Sequence, residues 1–97
     1  MICSPEEVAT AVCSVMGGAS PSALLADHRG SPRTADLRAV AMYVWRLQHG
    51  KETPTFSATG EAFGRDRRNV ALGVQRICLK RLPSPTELRD IKRRLGI

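Results

Sequence analysis

Positions 64–70 read Gly64-Arg65-Asp66-Arg67-Arg68-Asn69-Val70, with three guanidinium groups and a carboxamide within five residues. A guanidinium donates two parallel hydrogen bonds to O6 and N7 of guanine, and a carboxamide pairs with N6 and N7 of adenine. Asp66 suits the N-cap of a helix opening at Arg67, and as an acceptor it also fits a cytosine amino group. A helix start prefers anions, so Arg67 and Arg68 are locally unfavourable there unless phosphates or bases neutralise them. The plainer alternative is a charged turn facing water.

Other chemistry is sparse. His28 and His49 lie far apart without ligand-spaced partners, so no metal site is expected. No Ser, Cys and His form a nucleophile–base arrangement, so no catalytic residue, cofactor or enzyme activity is expected. Cys3, Cys13 and Cys78 are odd in number with no CxxC pair; they read as free thiols, with Cys13 and Cys78 packing as small apolar residues.

A reading head of this kind must be held by helices. Two helices joined by a tight glycine turn form a helix-turn-helix. The first is expected over about Ser57–Phe63 and the second over about Arg67–Arg81, with Gly64-Arg65 as the turn. Gly60 supplies a small residue where the helices cross, and Gly64 the positive φ of the turn. Phe63 would pack beneath the turn, and Val70, Val74 and Ile77 form the inward stripe of the second helix. Upstream, Ser4-Pro5-Glu6-Glu7 marks one helix start and Ser20-Pro21 another. The segment from Asp27 to Arg33 reads as an exposed basic loop. The strongest helix is expected from near Thr34, with Leu37, Val40, Ala41, Val44, Trp45 and Gln48 on one face. Ser84-Pro85-Thr86-Glu87 opens a basic C-terminal helix ending at Gly96.

No strand-like alternation of useful length appears, and the four aromatics (Tyr43, Trp45, Phe56, Phe63) imply an aliphatic, alanine-based core. The expected fold is therefore an all-α bundle of about five to six helices. The 97 residues suffice for one domain, with a core over 6–82 and a basic helix over 84–95. No apolar run reaches the ~18 residues of a membrane span, and no signal peptide is apparent, so a cytoplasmic protein without membrane contact is expected. The net charge is +6. Residues 1–28 hold Glu6, Glu7 and Asp27 with no lysine or arginine, while the remainder holds all 15 basic residues. Such asymmetry suits a polyanion met by one side of the molecule.

From Val8 to Leu82, roughly three quarters of the chain, the sequence resembles the C-terminal DNA-binding domain of DnaA, the bacterial replication initiator, which has a Trp-repressor-like fold. Four segments carry the likeness. Ser22-Ala23-Leu24-Leu25, followed by a loop with Arg29 and Arg33, is similar to the family's DLL plus basic loop. Arg38-Ala39-Val40-Ala41-Met42-Tyr43 resembles R-Q-I-A-M-Y. Gly60-Glu61-Ala62-Phe63-Gly64 resembles I-G-x-x-F-G, and the stretch from Gly64 to Val70 resembles G-R-D-H-T-T-V.

The resemblance implies that Asp66, Arg67, Arg68 and Asn69 enter the major groove and that Arg29 or Arg33 enters the minor groove. It also puts Arg38 and Ser57 near the DNA backbone, where Arg65 and Lys80 are expected to join them. The departures are informative. Arg67-Arg68-Asn69 replaces His-Thr-Thr, so the threonines' thymine-methyl contacts are lost and a different target is expected. Ala39 replaces a glutamine, and the basic loop is thin. The sequence has no GxxxxGK[ST], so no ATPase module is expected.

The expected partner is double-stranded DNA, bound sequence-specifically by a nucleoid-associated regulator of transcription or of replication initiation. The alternative from another class is a protein-interaction module on the same scaffold, using the 1–28 helices or the Leu72 face. RNA binding is disfavoured by the scarcity of aromatics for base stacking. Homodimerisation, or another protein partner, stays open.

Overall fold

The computed structural model describes residues 2–26 and 30–97. Among them are six α-helices, one 3-10 turn at Gly50–Glu52 and no strand. The helices are α1 (Pro5–Met16), α2 (Pro21–Leu25), α3 (Pro32–Leu47), α4 (Phe56–Phe63), α5 (Arg67–Leu79) and α6 (Pro85–Leu95). The all-α architecture of about six helices is thus the observed one.

One local device starts four of them. Ser4, Ser20, Ser31 and Ser84 each stand immediately before a proline at the first helical position, and each side chain accepts from the backbone N–H three residues on. Proline loses nothing there, because its missing N–H would have had no intrahelical partner. The Ser31-Pro32 start corrects the sequence reading. The helix begins at Pro32, ahead of Thr34, and Arg33 lies in its first turn rather than in a loop.

α3 is the central element. It packs on α1, α2, α4 and α5, and Leu37, Ala39, Val40, Ala41, Met42 and Val44 are all buried. Every residue from Asp36 to Met42 is buried, so the helix is enclosed on all sides over this stretch, and its alanines let neighbours come close. At Gly73 of α5 an added Cβ would stand 3.2 Å from the Ala39 Cβ. α1 covers another side with Val8, Ala9, Ala11 and Val12, all buried.

α6 is part of this core, which therefore extends beyond residue 82. Ile91 is fully buried, Leu88 and Leu95 pack against the same cluster, and α6 lies on α1. Burial of Ile91 contributes roughly 1.5–3 kcal/mol. The chain start is tied down nearby, where Cys3 N–H donates to Gln48 Oε1 at 2.8 Å and Gln48 Nε2 donates to the Cys3 carbonyl at 2.9 Å. Two details of α5 also differ from expectation. Cys78 is exposed rather than packed. The helix stops at Leu79, short of the expected end near Arg81, which is exposed in a left-handed conformation (φ 56°).

Candidate nucleic-acid interface

α4 and α5 are joined by Gly64, Arg65 and Asp66 and pack on each other. Thr55 caps α4 through the Ala58 N–H, one residue ahead of the expected start region. Arg46 sets that start by donating twice to the Pro54 carbonyl, at 3.2 and 3.0 Å, with its guanidinium 4.4 Å from the centre of the Phe56 ring. Phe63 is buried and meets Trp45 edge-on.

The turn has strict steric terms. Gly64 is left-handed (φ 68°, ψ 35°). Its N–H and that of Arg65 both donate to the Gly60 carbonyl, the latter at 2.8 Å. Gly60 admits no side chain, because a Cβ there would overlap the Arg65 carbonyl oxygen. The chain then leaves the turn extended at Asp66, whose carboxylate accepts from the Asn69 N–H at 2.8 Å and starts α5.

On the first turn of α5, Arg67, Arg68 and Asn69 are all exposed, as is Asp66. The Arg67, Arg68 and Asn69 side chains form no hydrogen bond or ion pair with any described residue. Buried Val70, Gly73 and Ile77 hold the opposite side of the helix. The bend at Gly64 therefore leaves these side chains facing solvent.

No protein-family model, curated protein or solved structure matches the chain.

Most of the other cations around this unit are already engaged, exposed Arg81 beyond the end of α5 excepted. Arg38, expected at phosphate, is only 6% exposed. Its Nε donates to the Leu24 carbonyl at 2.7 Å and its Nη2 to the Ala23 carbonyl at 3.2 Å. Burial, and then the neighbouring Arg65 charge, lower its pKa. Arg38 thus secures the C-terminal carbonyls of α2 from inside the fold. Arg33, expected in the minor groove, donates to the Met16 carbonyl at 2.8 Å and the Gly17 carbonyl at 3.3 Å, closing the end of α1. Arg29 lies outside the described residues. Arg65 is half-buried and donates to the Ala26 and Gly64 carbonyls, which ties the turn to the end of α2. Ser57 is exposed at the second position of α4.

Lys80, also expected at the backbone, donates to Asp36 Oδ2 at 2.8 Å, and Arg76 Nε donates to Asp36 Oδ1 at 2.9 Å. Burial works against the Asp36 carboxylate. The hydrogen bonds and charges of Lys80 and Arg76 outweigh it and hold its pKa below the ordinary value. This cluster clamps α5 against α3 and was not apparent in the sequence. Between the two helices runs a surface groove of about 570 Å³, lined in part by Arg65, Asp66, Asn69, Leu72 and Arg76.

Among the described residues no group of three His, Cys, Asp or Glu is arranged to hold a metal ion. None of the described helices is long and apolar enough to cross a membrane.

Proposed function

We propose that this chain binds double-stranded DNA through the α4–turn–α5 unit, with the first turn of α5 in the major groove. The observation that carries this reading is the arrangement at the helix-turn-helix: Arg33, Arg38, Arg65, Arg76 and Lys80 are engaged by carbonyls or by Asp36, whereas Arg67, Arg68 and Asn69 stand exposed and unbonded together on the first turn of the helix that follows the bend. Guanidinium and carboxamide groups are the donor sets that recognise guanine and adenine edges, and helix-turn-helix proteins present such residues from the N-terminal end of their second helix. The likeness of the sequence to the DNA-binding domain of the replication initiator supports the same assignment. The corresponding role is a small regulator of transcription or of replication initiation.

Phosphate contacts would come chiefly from exposed Ser57 and the N–H groups at the α5 start, with Arg65 and Lys80 beside them. Selection of bound duplexes from a random pool, followed by titration against salt, tests the reading. The expected result is a preferred site whose affinity falls log-linearly with salt. Arg68→Ala should lose about 1–3 kcal/mol on that site and relax its base preference. Failure to bind any duplex at low salt would overturn the proposal in favour of a protein-interaction module.

A further inference from the structure

The outward face of α5 carries one residue that polar recognition leaves unexplained. Leu72 is 49% exposed. It lies one turn beyond Arg68 and Asn69 and one turn before Gln75 and Arg76, and it shares the α3–α5 groove with Asn69 and Arg76. On a helix of 3.6 residues per turn, Arg68 and Leu72 stand nearly in line, opposite the buried Val70 and Ile77. Leu79 is the next apolar residue along this face and is 80% exposed. It lies seven residues on, about 10 Å along the axis, with Gln75 and Arg76 between. Along the exposed face of α5, Leu72 is therefore flanked by hydrogen-bonding side chains, while Ala35, Ala39 and Met42 line the floor of the groove beside it. A protein-docking face would instead present a contiguous apolar patch.

Resting on the DNA reading above, we propose that Leu72 is a specificity-determining residue that seats the 5-methyl group of a thymine. The thymine methyl is the apolar feature that base pairs present in the major groove, and aliphatic side chains recognise it by contact. The spacing fits. Arg68 and Leu72 are about 6 Å apart along the helix, slightly under two base-pair steps. Arg68 or Asn69 would then read a purine, with the methylated pyrimidine one or two base pairs away.

The test uses the duplex selected by the full chain, with each thymine of the site replaced singly by uracil, which removes only the methyl group. Binding is read by fluorescence anisotropy for the wild type, Leu72→Ala and Leu79→Ala. One replacement, within two base pairs of the purine whose preference Arg68→Ala relaxes, should weaken wild-type binding about fourfold, the worth of one buried methyl-sized group. Leu72→Ala should bind the thymine duplex correspondingly less well and no longer distinguish it from the uracil duplex. Leu79→Ala should keep the difference. Because Leu72 is half exposed, its truncation should leave the thermal midpoint near that of the wild type.

A selected site without thymine near that purine would overturn the proposal, as would uracil duplexes that bind equally well at every position. So would a Leu72→Ala variant that keeps the thymine preference, or one that loses affinity equally on both duplexes while shifting oligomeric state in sedimentation. Each of those outcomes leaves DNA reading by Arg67, Arg68 and Asn69 intact. Absence of all duplex binding would overturn that reading too.

Discussion

At the start of α6, the Ser84 hydroxyl accepts from the Glu87 N–H at 3.1 Å, and the Glu87 carboxylate accepts from the Ser84 N–H at 2.9 Å. At the start of α5, Asp66 accepts from the Asn69 N–H at 2.8 Å and no side chain returns the bond. Both caps accept from the third residue's N–H, but the α5 cap is itself a carboxylate, and the charge that follows it is opposite. α6 places a carboxylate at its third position, as α1 does with Glu7, whereas α5 places Arg67 and Arg68 in its first two. Anions stabilise a helix N-terminus and cations oppose it, each by about 0.3–1 kcal/mol. α1 and α6 therefore close their own ends. The α5 end, on a turn constrained by Gly60 and Gly64, keeps an excess of positive charge beside the single Asp66 carboxylate, and on the proposed function a DNA phosphate or base would offset it.

The difference can be broken most forcefully by removing the open charges. Arg67→Ala combined with Arg68→Ala should weaken duplex binding roughly 100-fold, from about 1–3 kcal/mol per base-reading arginine, while the melting temperature holds steady or rises. Anisotropy and calorimetry on the same preparation would check both. Attacking the turn should do the reverse and reduce stability first. Gly60→Ala forces a methyl group against the Arg65 carbonyl and should destabilise the protein by about 1–3 kcal/mol, seen as a lower denaturant midpoint.

Smaller losses should follow from unclamping α5. Asp36→Asn removes the acceptor charge of Arg76 and Lys80. Because both cations are near half exposed, the cost should be about 1–2 kcal/mol rather than that of a fully buried pair. The same group sets an acid limit. Its pKa is lower in the folded chain than in the unfolded one, so its contribution is complete above the unfolded value, near 3.8, and is lost as pH falls through the folded value. Urea unfolding of the wild type should show stability declining below about pH 4, and Asp36→Asn should show a shallower decline. The smallest change in stability sharpens the comparison. Asn69→Glu gives α5 the same third residue as α6 and should add about 0.5 kcal/mol while opposing DNA binding by charge repulsion.

What was legible in the sequence was local. The Ser-Pro starts, the Gly64 bend, the Asp66 cap and the inward stripe from Val70 to Ile77 each follow from residues a few positions apart. Ser31-Pro32 carries the same signal, but it sits within a stretch whose charges suggested a loop. Roles set by distant partners were hidden. Arg38 serves carbonyls 14 and 15 residues away, Arg33 serves those at the end of α1, and Lys80 reaches an aspartate 44 positions earlier. One clue was present for Arg38. An arginine set between Leu37 and the Ala39-Val40-Ala41 run is flanked on both sides by residues that belong in a core. For Arg33 and Lys80 charge alone was visible, and charge does not say whether a cation will meet a phosphate or a carbonyl.

The most direct trial of the open α5 end is a ¹H–¹⁵N titration of the labelled chain with its selected duplex. The largest shifts should fall on the amides of Asp66, Arg67, Arg68 and Asn69, followed by Leu72, with α6 little changed. Shifts concentrated on Arg89, Arg93 and Arg94 of α6, with the first turn of α5 unmoved, would contradict it.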